Sequence, residues 1–99
     1  MSKEDIKSLL KTNLGISITN EAMEKLLENY IEIAQKNIER EGISLPFDAV
    51  MGFETEDAML IMRYADYLYR KRAENIGMPR SLRYELNNKL FSQKAKAVE

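Results

Sequence analysis

Apolar residues along this chain recur in steps of three and four, with one interruption near the middle. That spacing puts side chains on one face of a helix. Ile6, Leu9 and Leu10 mark a short first helix over about residues 3–12. Ser2 stands at a capping position, and Asp5, three residues on, supplies the acid of a capping box. Met23, Leu26, Leu27, Tyr30, Ile33, Ala34 and Ile38 predict a long second helix, entered through Thr19 or Asn20 and closed by Gly42. Its opposite face carries Glu21, Glu24, Glu28, Glu32 and Glu39, with Lys25 and Lys36 among them.

Thr55 is placed to cap a third helix, with Glu56 and Asp57 in its first turn. Ala58, Ile61, Met62, Ala65, Leu68, Tyr69 and Ala73 form its apolar face, and Gly77 marks its end. Pro79 suits the first turn of a fourth helix, in which Leu82, Leu86 and Leu90 step by four. Tyr84 and Phe91 lie on an adjoining stripe, and the tail from about residue 95 to 99 is expected to fray. The expected fold is all-α: a single domain over residues 1–99, built as a small four-helix bundle.

The interruption is "GISLPFDAVMGFE", residues 42–54, a long apolar loop between helices two and three. Ile43, Leu45, Phe47, Val50, Met51 and Phe53 are too apolar for a free linker. Two readings stand side by side. The segment folds back over the core, or it is an extended arm, with or without a short strand, that completes a neighbour's surface.

A second local feature, "NLGIS" at residues 13–17, has the look of a helix-turn-helix corner. The neighbouring residues argue against it. The small residue needed one turn before the glycine is Lys11, and the positions to be buried after the turn are Glu21 and Glu24. A reading helix carrying Glu21, Glu24, Glu28 and Glu32 would also repel phosphates. Gly15 is better read as the end of a short helix, with Leu14, Ile16 and Ile18 as apolar anchors. The carboxylates of helix two read as a solvated face rather than a metal site.

Composition narrows the chemistry. The 99 residues include no Cys and no His, which removes thiol nucleophiles, disulfides, the commonest general base and the usual zinc ligands. No cofactor is expected. No apolar run is long enough to span a membrane, and the first residues lack a signal-peptide pattern, which points to an intracellular origin. The net charge of −1 is unevenly spread. Residues 1–60 hold 6 Lys/Arg against 12 Asp/Glu, net −6, and residues 61–99 hold 9 against 4, net +5. Such asymmetry suits head-to-tail contact between copies, a basic face turned to a polyanion, or two solvated helix faces. "YADYLYRKR", residues 64–72, mixes aromatics with cations in the manner of a protein interface, a solvated helix end or a base-stacking surface.

The whole layout, about residues 3–95, resembles the head–tail connector (head-completion or adaptor) proteins of tailed bacteriophages and prophages. Its most telling parts are "YLYRKR" at the end of helix three and "MPRSLRYELNNKLF" after it. The resemblance implies a non-enzymatic virion protein, assembled in the bacterial cytoplasm and resident at the head–tail junction. It implies a ring of copies, dodecameric to match the portal protein, that offers a platform to a tail or stopper protein. Packaged DNA would pass through the lumen without sequence-specific binding. On this reading Leu45, Phe47, Val50, Met51 and Phe53 contact a neighbouring subunit, and Arg70, Arg72, Arg80 and Arg83 face the portal or a polyanion. The basic C-terminal helix docks on the portal, lines the lumen or packs on its own bundle. A nucleic-acid-binding or regulatory protein using the basic C-terminal half is the alternative, and a helical interaction module without a phage role is a third.

Overall fold

The computed structural model describes residues 1–98. Four helices dominate it: α1 (Lys3–Leu14), α2 (Glu21–Arg40), α3 (Thr55–Glu74) and α4 (Arg80–Val98). A minimal antiparallel hairpin, β1 (Phe47–Asp48) and β2 (Gly52–Phe53), interrupts them between α2 and α3. The fold is therefore all-α with four helices, as the apolar spacing predicts.

The capping box of α1 is formed as expected. Asp5 N–H donates to Ser2 Oγ at 3.2 Å, and Ser2 N–H donates back to Asp5 Oδ2 at 3.0 Å. Gly15 ends the helix at φ 74, a left-handed conformation that favours glycine. Asn20 rather than Thr19 caps α2, accepting from Met23 N–H at 2.9 Å. Thr19 instead donates to Glu24 Oε1.

Some boundaries differ from expectation. Glu54 precedes α3 and Thr55 is already helical, so Thr55 is not its cap. The helix stops at Glu74 because Asn75, not Gly77, takes the left-handed position, at φ 49. Asn tolerates that conformation better than most residues. Residues 95–98, expected to fray, continue α4, and Glu99 lies outside the described residues.

Ion pairs set the directions of the helices. Lys7 meets Glu28 and Lys11 meets Glu24, so α1 and α2 run antiparallel. Tyr30 packs edge-on against Tyr69, and Asn37 lies beside Tyr64, so α2 and α3 are antiparallel too. A helix-turn-helix crossing is thereby absent from the α1–α2 pair. Helix α3 is the central element, packed against each of the other three. Its first half is buried nearly all round, through Ala58, Leu60, Ile61, Met62, Tyr64 and Ala65. On α2 the buried face is Leu27, Ile31, Ala34 and Ile38, whereas Ile33 stays 44 % exposed.

Helix α4 lies across the first half of α3 and the end of α2. It contributes Leu82 and Leu86 to the core. The molecule measures 48 × 35 × 18 Å, which makes it a plate. Packed helices lie about 8–10 Å apart, so the thin dimension holds barely two layers.

Candidate interaction surfaces

The segment between α2 and α3 divides into an inward and an outward part. Its first part folds inward: Ile43 and Leu45 are buried, and Ser44 is clamped to α4. Ser44 N–H donates to Gln93 Oε1 at 2.7 Å, and Gln93 Nε2 donates to Ser44 O at 2.9 Å. Its second part turns outward. Phe47 pairs with Phe53 across the hairpin, and their rings meet edge-on at 5.0 Å. Phe53 is buried beneath, while Phe47 is 57 % exposed, Met51 78 % and Val50 93 %.

Two devices fix this exposed tip. The Asp48 carboxylate accepts from Val50 N–H at 2.7 Å and Met51 N–H at 3.0 Å, closing the turn. Those donors, Met51 first, hold its pKa below the usual carboxylate range. Beneath the tip, Met1 pairs with β2 like a third strand. Phe53 N–H donates to Met1 O at 2.7 Å, and the Met1 amine donates to Phe53 O at 2.5 Å. Gly52 makes this approach feasible: at φ 77, a Cβ on it would stand 2.2 Å from Met1 O.

The five apolar residues assigned from sequence to neighbour contact therefore divide. Leu45 and Phe53 fill the chain's own core and are not free to meet a partner. Phe47, Val50 and Met51 remain as an outward patch on a fixed hairpin. Contiguous apolar exposure of this kind marks interaction surfaces.

The four arginines divide as well. Arg70 Nε is 2.6 Å from Asp66 Oδ1, and its Nη2 reaches Asn13 O at 3.5 Å. Arg83 is paired with Glu41 at the end of α2. Arg72 lies over the Tyr69 ring at 4.4 Å, a cation–π contact that still leaves it exposed. Arg80 is exposed and has no ion-pair partner among the described residues. Arg70 and Arg83 thus fasten helices together, and Arg72 and Arg80 are the freer cations.

Two charged clusters escaped the sequence reading. Lys7 is nearly buried among Glu28 at 2.8 Å, Glu4 at 3.2 Å and Glu24 at 3.4 Å. The hydrogen bond to Glu28 above all pushes its pKa above the ordinary lysine range. Asp57, in the first turn of α3, is 2 % exposed. Lys89 of α4 neutralises it at 2.5 Å, at an angle that leaves Oδ1 without a hydrogen bond. An open groove of about 660 Å³ runs above this pair between α3 and α4. Its walls mix Glu54, Glu56 and Glu85 with Arg63 and Lys96, so it presents no single sign of charge to a ligand.

Helix α4 also carries an outward stripe. Tyr84 is 69 % exposed and Phe91 70 %, on the side opposite the buried Leu82 and Leu86. The sequence shows this stripe beside the leucines but does not tell whether it is covered. Among the described residues no helix is long and apolar enough to cross a membrane. Against protein-family models, curated proteins and solved structures, the chain has no match.

Proposed function

We propose that this chain is a non-enzymatic assembly protein that forms a ring of copies and joins the portal of a DNA-filled phage head to the tail. The observation that carries the reading is the fixed, solvent-facing apolar tip of Phe47, Val50 and Met51. A hairpin that holds three large apolar side chains in water is better suited to a partner surface than to solvent. The resemblance of "YLYRKR" and "MPRSLRYELNNKLF" to head–tail connectors supplies the identity of the assembly. The plate shape, 18 Å thick, suits a subunit that stacks side by side around an axis.

Light scattering across a concentration range, followed by electron microscopy with purified portal rings, tests this reading. Closed rings, or decoration of the portal vertex, are expected. A chain that neither self-associates nor binds a portal ring would sink it. The alternative, a nucleic-acid-binding protein using the basic half, is weakened by the pairing of Arg70 with Asp66 and Arg83 with Glu41. Cations already neutralised at home contribute less to phosphate binding. A salt-dependent shift of DNA by submicromolar protein would favour that alternative instead.

A further inference from the structure

Helix α4 and the chain before it carry opposite charge. Residues 80–98 hold five Lys/Arg against one Glu, net +4, and residues 1–79 hold ten against fourteen Asp/Glu, net −4. Residues 75–79 join the two and form neither helix nor strand. Asn75 takes the left-handed position there, and a Cβ built on Gly77 would meet nothing within 4 Å. Met78 rests against the core at the foot of α4.

The ties from α4 to the body are spread along its length: Arg83 to Glu41, Glu85 to Arg63, Lys89 to Asp57 and Gln93 to Ser44. The first two are ion pairs within reach of solvent, and water and counter-ions replace such partners at little cost. The apolar part of the contact is a single row, with Leu82 and Leu86 buried and Leu90 half-buried over Gly42.

The third ion pair is buried. Asp57 is 2 % exposed, and its Oδ1 has no hydrogen bond although Lys89 Nζ stands 2.5 Å away. A carboxylate held dry by one partner gives up most of its hydration for that pair. The groove between α3 and α4 opens above it, so water has a path to Asp57 once Lys89 leaves. Closure of α4 is thus favoured by the leucine row and by charge, and opposed by the desolvation of Asp57.

We propose that α4 is a hinged arm. It lifts from the body as one unit about residues 75–79 while α1, α2 and α3 stay folded, and Asp57–Lys89 is its latch. Lifting hydrates Asp57 and uncovers the apolar floor beneath Leu82 and Leu86. The device needs no second copy, so it stands or falls apart from the proposed ring.

Native-state hydrogen exchange, read by NMR in a urea series below the unfolding transition, tests it. The amides of Leu86, Lys89 and Leu90 are expected to share one opening, about tenfold or more as populated as that of Leu27, Ile31 and Ile61, with a weaker urea dependence. Raising NaCl from about 0.1 M to about 1 M shortens the screening length from about 10 Å to about 3 Å and is expected to raise the α4 opening about threefold. Exchange of α4 through the same opening as Leu27 and Ile61 would overturn the proposal. So would protection that declines evenly toward residue 98, the mark of fraying, or an α4 opening indifferent to salt.

Lys89→Met tests the latch. It strands the Asp57 charge in the closed state alone, so the α4 opening is expected to become about tenfold more populated, in step with global unfolding. Adding Asp57→Asn removes the stranded charge and is expected to bring the opening back to within about threefold of the wild type. If Lys89→Met favours global unfolding but leaves the α4 opening unchanged, the pair survives the opening and is no latch. A double variant that opens as often as Lys89→Met alone overturns it as well.

Discussion

The body formed by α1, α2 and α3 and the helix laid across it are held by different forces. The body is closed by fully buried side chains from every helix, among them Ile6, Leu10, Leu27, Ile38 and Ile61. Helix α4 adds Leu82 and Leu86 to that core, with Leu90 half-buried against it, and is tied further by polar groups: Arg83 to Glu41, Glu85 to Arg63, Lys89 to Asp57 and Gln93 to Ser44. Apolar burial supplies most of the stability of a fold, whereas exposed ion pairs such as Arg83–Glu41 and Arg63–Glu85 add little and mainly fix orientation, and the desolvation of a buried pair such as Asp57–Lys89 offsets much of its attraction. Stability therefore resides in the three-helix body, and α4 is positioned rather than packed. Its unspent apolar residues, Tyr84 and Phe91, point away from the body.

Substitutions that sharpen this contrast start in the body. Ile61→Ala is expected to cost about 3–4 kcal/mol in urea denaturation, because the cavity lies where α3 is enclosed on all sides. Leu86→Ala, though equally buried, is expected to cost about 2 kcal/mol, since α4 can settle toward the gap. Equal losses at the two sites would show that α4 belongs to the body after all.

Charge gives the next effect. Lys7→Met leaves Glu4, Glu24 and Glu28 facing one another and is expected to cost about 1–2 kcal/mol at neutral pH. Glu24 adds a pH dependence. The hydrogen bond from Lys11, then that from Thr19, holds its pKa below the usual glutamate range. A lowered folded-state value means the contribution is complete above the unfolded value and is lost as pH falls through the folded one. The urea midpoint of the wild type should therefore drop from about pH 5 downward. Lys11→Met should flatten that slope; an unchanged slope would mean other carboxylates carry it. Last, Val50→Ser and Phe91→Ser are expected to move stability by no more than about 0.5 kcal/mol, whatever they do to assembly.

The four helices were legible because their apolar spacing survives averaging over many residues. Individual faces were less so. The spacing places Ile33 on the buried face of α2 and leaves out Ile31, whereas the fold buries Ile31 at 2 % exposure and leaves Ile33 at 44 %. The central loop was legible as apolar, yet composition does not tell which side chains turn inward. Leu45 and Phe53 do so because Ser44 is clamped to α4 and β2 is paired to Met1, both through partners about fifty positions away. Of the three expected anchors of the α1–α2 turn, Leu14 and Ile16 pack against the core, whereas Ile18 is 91 % exposed. The arginines stood out as a basic cluster; Asp66, which pairs with Arg70, lies one turn earlier on the same helix, but Glu41, which pairs with Arg83, stands at the end of α2, 42 positions away.

The strand-like pairing of Met1 with Phe53 joins the two ends of a segment more than fifty residues long. Closing so wide a loop is entropically unfavourable until the helices between have formed. During synthesis the pairing must wait until the chain has been made at least through Phe53. The tip of the hairpin is thus ordered late, once most of the body is in place. In the proposed assembly, a copy still folding would have no finished tip to present, and recruitment would act as a checkpoint on the maturity of each subunit.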